Sequence, residues 1–321
     1  HVLDAIRALP GISVVQSGSH GATTSLFVRG GESDYVKVLV DGVPINEPGG
    51  RADLANLSTA NIERIEVVRG PASVLYGSDA VSGVIQIFTK EGRGRTRANA
   101  TVRGGSRGTL EYGADVSGAA GPASFAFSAS RFRTDGIYAF NNEYRNDAVS
   151  GRIRFEPDDR TDATLTVRYG SGEFHYPTDS GGEVVDRNAH QLEDRLALGF
   201  EAARRLTDRL ELRLLLTLSD LEAGTRDAQD DETDTSGTYA YFADTETRRR
   251  AVDLRANYGL GTSVVLTAGV ELEDQQTESS SEYESEWGPG SDSFGAERTN
   301  RGVYAQALVQ PIPALALTLG A

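Results

Sequence analysis

Ile62-Glu63-Arg64-Ile65-Glu66-Val67-Val68-Arg69-Gly70-Pro71-Ala72-Ser73-Val74-Leu75-Tyr76-Gly77-Ser78-Asp79-Ala80-Val81-Ser82-Gly83-Val84-Ile85-Gln86-Ile87 packs a strand, a short helix and a second strand into one stretch of chain. Ile65, Val67 and Val68 supply the first strand. Gly70 permits a sharp exit, and Pro71 suits a first helical position, where its missing N–H does no harm. Residues 72–76 make about one turn, Gly77 stops it, and Gly83 opens a second strand over residues 84–88. Upstream lie Phe27-Val28-Arg29-Gly30-Gly31 and Val38-Leu39-Val40-Asp41-Gly42-Val43-Pro44-Ile45-Asn46. Before them, residues 2–9 read as a helix with Leu3, Ile6 and Leu9 on one side.

Beyond Arg93-Gly94-Arg95 the rhythm settles into a two-residue period. Leu210, Leu212, Leu214, Leu216 and Leu218 alternate with mostly polar neighbours, and Val264, Leu266, Ala268, Val270 and Leu272 do the same. About eleven such strands begin near Arg95, Thr109, Ala123, Asp147, Asp162, Gln191, Arg209, Thr247, Ser263, Thr299 and Leu315. Most run to about ten residues, longer than an ordinary soluble strand and matched to a tilted bilayer crossing. Short turns fall at Ala120-Gly121-Pro122, Pro157-Asp158-Asp159-Arg160, Thr207-Asp208, Gly259-Leu260-Gly261-Thr262 and Pro311-Ile312-Pro313. Between them lie long polar loops over residues 136–146, 174–190, 223–244 and 278–298. That asymmetry predicts an outer-membrane barrel with periplasmic turns and extracellular loops. A soluble β-sandwich alternates too, but with shorter strands and a second layer over its apolar faces. Tyr138, Phe140, Tyr169, Phe174, Tyr176 and Tyr241 fall near long-loop ends, where an interfacial girdle belongs.

Composition narrows the class of function. The formal charge of −15 argues against nucleic-acid binding, which needs a basic face. Cysteine is absent, which removes disulfides, a Cys-ligated zinc and a thiol nucleophile, and suits a passage through an oxidising compartment. His1, His20, His175 and His190 are scattered, and no phosphate-binding or nucleophile-elbow motif occurs, so an enzyme is not expected. No run approaches the length of a transmembrane helix. Methionine is absent and no signal peptide leads the chain, which reads as a processed or cut piece. Regular apolar periodicity argues against disorder.

In their order and spacing, the three N-terminal segments resemble the plug domain of TonB-dependent outer-membrane receptors. The resemblance runs from His1 to about Gly92. It implies an α+β plug over residues 1–92, seated in the lumen of a transmembrane antiparallel β-barrel whose N-terminal half is residues 93–321. Such receptors use about 22 strands, so eleven imply a truncated wall with an unpaired edge on either side. The implied setting is the outer membrane of a Gram-negative bacterium. The implied activity is high-affinity active uptake of a scarce nutrient, powered through TonB and its inner-membrane complex. The TonB-contacting box would precede His1, so these residues alone should not transport. Arg29-Gly30-Gly31-Glu32-Ser33-Asp34, Leu39-Val40-Asp41-Gly42-Val43 and Tyr76-Gly77-Ser78-Asp79-Ala80 look most like the cobalamin-receptor branch, and the segment from Arg301 onward fits it as a mid-barrel strand pair. A ferric-siderophore or haem importer is the alternative substrate class. A passive porin, a surface adhesin and a soluble carbohydrate-active β-protein are readings of other classes, and none requires the plug motifs.

Within this resemblance, Arg29, Arg64 and Arg69 are expected to make polar contacts from plug to lumen wall. Arg152, Arg154, Glu201, Glu211, Arg213 and Glu271 are their expected counterparts, since paired arginines can be rearranged where an apolar seam would lock. Local pairing within the plug is the plainer alternative. Gln16, Ser17, Gly18, Ser19 and His20 in one loop, and Asn46, Pro48 and Gly49 in another, are the expected ligand contacts; the cobalamin branch places its substrate-touching plug loops there. Small residues admit a bulky ligand, and Gln, Ser and Asn hydrogen-bond without charge. The reading requires no cofactor. Asp179, Asp186, Asp227, Asp230, Asp231 and Asp234 form an oxygen-rich set that would suit calcium, which cobalamin receptors bind in loops on this side, although a solvated acidic face is the plainer reading.

Overall fold

The computed structural model describes the chain except Ser78, Ser180, Thr262, Pro313, Ala314 and Ala321, together with the side chains of Val74 and Leu75. The expected turns at Thr262 and Pro313, and the Ser78 corner, therefore lie outside the described residues.

The N-terminal region is a small α+β unit. Helix α1 (Val2–Arg7) buries Val2, Leu3 and Ile6, which share one face at helical spacing. β1 (Ile12–Gln16) and β2 (Thr24–Val28) form a hairpin. β3 (Val36–Val40), β4 (Val43–Pro44), β5 (Ile62–Arg69) and β6 (Gly83–Thr89) form a four-stranded sheet in the order β4-β3-β6-β5, with β3 and β6 parallel. Asp41 and Gly42 make the two-residue turn between β3 and β4, both with positive φ (48° and 84°), which matches the twist of a tight hairpin. The core holds Val28, Val36, Val38, Ile85 and Ile87 at zero exposure, with Ile6 and Leu26 above them. Each such side chain contributes about 1.5–3 kcal/mol on burial. Helix α2 (Ser73–Tyr76) follows β5, and Pro71 sits before its N-cap Ala72 and not within its first turn. Gly77 ends it at φ +81°, as a stop residue must.

Eleven strands among the described residues make the second unit: β7 (Arg97–Gly104), β8 (Leu110–Ala120), β9 (Ala123–Thr134), β10 (Tyr144–Asp158), β11 (Thr161–His175), β12 (His190–Arg205), β13 (Leu210–Asp227), β14 (Thr238–Leu260), β15 (Val264–Ser285), β16 (Gly290–Ile312) and β17 (Leu315–Gly320). Each pairs antiparallel with the next in one continuous meander. All eleven expected strands are present, but two loops are shorter than expected. Residues 223–244 and 278–298 are largely ladder, because β13 and β15 continue upward and β14 and β16 start early. Beyond the bilayer both faces of a strand are wet, so apolar alternation lapses while the backbone keeps its hydrogen bonds.

One face of this sheet carries exposed Val149, Ile153, Leu165, Val167, Phe200, Leu216, Leu254 and Val270, the apolar band of a lipid-facing wall. The other face meets the plug. Tyr169 points outward and its hydroxyl donates to Asp194, as a girdle tyrosine would. Phe174 and Tyr176 do not join that girdle: Phe174 is paired with Tyr144 on the inner face and is buried, with Tyr176 stacked on it. Parity along the strand, not proximity to a loop, decides which way an aromatic faces.

Candidate functional site

The plug is fastened to the wall by wall arginines. On β10, Arg152 reaches Asp41 at 3.2 Å and Glu91 at 3.0 Å. On β11, Arg168 donates to the Ser58 carbonyl oxygen at 2.8 Å. On β12, Arg195 donates to the Ile45 carbonyl oxygen at 2.6 Å and lies 3.9 Å from Glu47. Tyr144 and Asn146 add hydrogen bonds to Asn56, and Asn142 bonds Ser19.

This reverses the expected direction of the contact. Arg64 pairs with Glu66 on its own strand and lies over the Phe88 ring, both in water. Arg29 and Arg69 are exposed, and no ion pair joins any of the three to the wall among the described residues. Of the expected counterparts, Arg152 does hold the plug. Arg154 pairs with Asp162 and Glu156, and Arg213 with Glu201 and Glu211, all within the wall. Arg168 and Arg195 went unnoticed in the sequence, although both stand at inward-parity positions, Arg195 with Glu193 beside it on the same face of β12.

Between the plug's upper loops and β11–β15 lies a cavity of about 370 Å³, lined by Glu47, Pro48, Arg51, Asp53, Phe174, Gln191 and Glu193 among others. A second hollow of about 340 Å³, lined by Ser17, Gly18, Ser19, Tyr138, Phe174 and Tyr176, adjoins it through Thr23, Phe174 and Gln191. Asp53 is held by three donors, the Thr24 N–H, the Thr24 hydroxyl and the Ala55 N–H. Burial nevertheless pushes its carboxyl above the usual range.

The expected ligand residues divide between those that line these hollows and those held elsewhere in the plug. Ser17, Gly18, Ser19 and Pro48 line these hollows. Gly49 is on the same loop, at φ +87° with open space around it. Gln16 is turned inward to the plug: its amide donates to the Ser19 carbonyl oxygen and accepts from Arg7. His20 packs among His1, Phe132 and Tyr144, where burial lowers its pKa, and it lines a smaller cavity beside β8–β10. Asn46 is held within the plug. It is buried, accepts from the Val38 N–H, and donates to the Val36 and Gly50 carbonyl oxygens, so its amide is used up in holding the loop to β3.

The six aspartates do cluster, around a cavity of about 590 Å³ between the ends of β11 and β14. Their oxygens are largely engaged. Asp186 accepts from the backbone N–H groups of Asn188 and Ala189, and Asp230 from that of Arg187 and the Asn188 amide. Among the described residues, no three His, Asp or Glu side chains form a group placed to hold a metal ion. Asp227, above the membrane, is pushed up to about 7 by burial and by its neighbour Asp186.

Comparison with known proteins fits this architecture. Residues 1–84 match the family described as TonB-dependent receptor plug domain. The vitamin B12 transporter BtuB of Photobacterium profundum is 32% identical over 191 residues, 56% of this chain and 31% of that protein. Among solved structures, the copper transporter OprC superposes with TM-score 0.78 at 16% identity, covering 99% of this chain and 51% of its own. The pyoverdine receptor FpvA of Pseudomonas aeruginosa PAO1 gives 0.78 at 18%, covering 99% and 53%. The ferric yersiniabactin receptor FyuA of Yersinia pestis gives 0.76 at 17%, covering 98% and 52%. The chain thus spans about a third of its curated relative and about half of each solved structure. Residues 1–84 thus match the plug domain of TonB-dependent receptors, and the plug with its eleven-strand wall has the fold of the solved outer-membrane receptors it resembles.

Proposed function

We propose that the receptor to which this chain belongs imports cobalamin or a related corrinoid, with TonB supplying the work from the inner membrane. The observation that carries this reading is the 32% identity to a vitamin B12 transporter, joined to a polar cavity where the plug loops meet the wall. Thr23, Gln191, Thr245 and Thr247 line that cavity, groups that hydrogen-bond a bulky neutral ligand without demanding a charge.

The second reading is a ferric siderophore, favoured by Glu47, Arg51, Asp53 and Glu193 in the same lining, which would suit a charged chelate. Equilibrium binding of cyanocobalamin and of ferric pyoverdine to the full-length receptor separates the two. Saturable binding of cyanocobalamin alone supports the first reading, and binding of ferric pyoverdine alone refutes it.

A further inference from the structure

Asn141, in the loop between β9 and β10, is buried and adopts a positive φ of 43°. Its side-chain amide donates to the Tyr176 and Ala189 carbonyl oxygens at 3.0 and 3.1 Å and to Asp186 Oδ1 at 3.3 Å. One residue thus ties its own loop to both ends of the loop between β11 and β12. Three acceptors around Nδ2 fix which way the amide lies and leave Oδ1 to accept. Beside it, Asn142 accepts from the Ile137 and Tyr138 N–H groups and donates to Ser19 of the plug. The hollow of about 340 Å³ is lined by Tyr138 and Asn142 from the first loop and by Tyr176, Pro177 and Thr178 from the second.

The Asn141 oxygen meets His175, on the outward parity of Tyr169 but past the end of the apolar band. Nδ1 of the ring lies 3.0 Å from Asn141 Oδ1, and Nε2 lies 2.9 Å from Glu173 Oε1. The other Glu173 oxygen lies 2.9 Å from the Arg145 guanidinium, which keeps the carboxylate ionised. Both ring nitrogens therefore face acceptors, and a neutral imidazole has only one N–H to offer. The two bonds exist together only when the ring carries two protons. His190, the register partner of His175, stacks on it with centroids 4.9 Å apart and planes 15° from parallel. Its Nδ1 donates to the Asn188 carbonyl oxygen, for which one proton suffices. Like charges directly opposite one another repel, so the stacked pair holds a single positive charge. The charged and titratable groups around the ring are thus Arg145 of β10, Glu173 of β11, His190 of β12, its register partner Arg226 of β13, and Asp186, which shares Asn141; Glu143 contributes its carbonyl oxygen to the His175 N–H.

We propose that His175 is a proton-operated latch, whose doubly protonated ring closes the β9–β10 loop onto the β11–β12 loop and so sets the width of the hollow between them. The latch acts on the hollow whichever ligand fills it. Loss of one proton leaves one of the two acceptors without its donor. The carboxylate keeps the remaining proton, because a hydrogen bond to a charged group is the stronger of the two. Nδ1 then presents a lone pair to the Asn141 oxygen, and the two repel. Turning the amide over to meet it would give up the bonds to Tyr176, Asp186 and Ala189. Release of the loop is the smaller loss. The latch is closed at low pH and opens as pH rises, the sign for a histidine that gains partners on folding.

The test uses the full-length receptor in detergent, without ligand, labelled with nitrogen-15 histidine. It carries Asp227→Asn, so that this carboxyl adds no pH dependence of its own. Imidazole nitrogen spectra between about pH 5 and pH 9 follow the second proton, the His175 signals being those lost in His175→Gln. Hydrogen exchange over residues 137–143, taken relative to the intrinsic rate at each pH, follows the loop. The expected result is that the proton leaves and protection falls by about tenfold over the same pH interval. Glu173→Gln, which removes the charge that favours the imidazolium, should move both curves together to lower pH. Loss of the second proton with protection unchanged overturns the latch, and so does a ring that holds one proton at every pH. A pH profile over residues 137–143 that persists in His175→Gln overturns it as well, because another group then drives the loop.

Discussion

Arg152 of the wall lies 3.2 Å from Asp41 of the plug, and the same carboxylate accepts from the Thr89 N–H at 3.0 Å and the Thr89 hydroxyl at 2.7 Å. One side chain thus joins the β3–β4 turn, the end of β6 and the barrel. The pair is nearly dry, with side-chain exposures of 15% and 6%. Glu91, where the plug hands over to the wall, shares the guanidinium.

Arg152→Ala should therefore loosen the plug more than its own strand. Removing one partner leaves Asp41 and Glu91 uncompensated, at a cost of about 2–4 kcal/mol. Amide hydrogen exchange should rise over residues 36–46 and 86–91 and stay constant over β13–β15. A double-mutant cycle with Asp41→Asn should return a coupling of about 1–3 kcal/mol. Additive effects would mean that the contact carries no weight.

Asn46→Ala should act through stability. It leaves the Val38 N–H without its acceptor and two carbonyl oxygens without a donor, at a cost of about 2–3 kcal/mol. In thermal denaturation the plug transition should fall, while ligand affinity measured well below that transition stays within about twofold. A large loss of affinity in a fully folded variant would return Asn46 to the binding surface.

Asp227 gives the extracellular loops a pH dependence of definite sign. Its carboxyl is raised to about 7 in the folded chain, so the folded state holds the proton more tightly than the unfolded one. The stabilisation is complete below the ordinary carboxylate pKa of about 4 and is lost as pH rises through about 7. Protection over residues 176–190 and 226–238, taken relative to the intrinsic exchange rate at each pH, should accordingly fall between pH 5 and pH 8 (about three units of span). Asp227→Asn should flatten that profile.

Above the apolar band, Asp194, Glu222, Glu246 and Glu278 are successive register partners across β12–β15. Like charges directly opposite one another repel. Glu246→Lys in the full-length receptor should raise the midpoint of urea unfolding in detergent by the equivalent of about 0.5–1 kcal/mol. High salt should shrink the gain, and an unchanged midpoint would show that the row is fully screened.

Much of this was legible before any coordinates. Apolar alternation marked every wall strand, and glycine and proline marked the corners of the plug, because both signals are local. The early starts of β14 and β16 were not legible: Thr238 and Gly290 open stretches that are wet on both faces, where a ladder leaves no apolar trace. That the amides of Asn46 and Gln16 bond within the plug was not legible either, because polar loop residues carry no mark of which partner will take their hydrogen bonds.

The amino-acid order by itself determined that there is a plug, that a membrane wall follows, and which side chains share a face of each strand. Only the tertiary structure decided what those faces meet. Arg152 and Asp41 are 111 residues apart, and Arg195 and Ile45 are 150 apart. Such pairs are fixed by how the sheet wraps the plug, and strand parity can say that an arginine points inward but not what waits there.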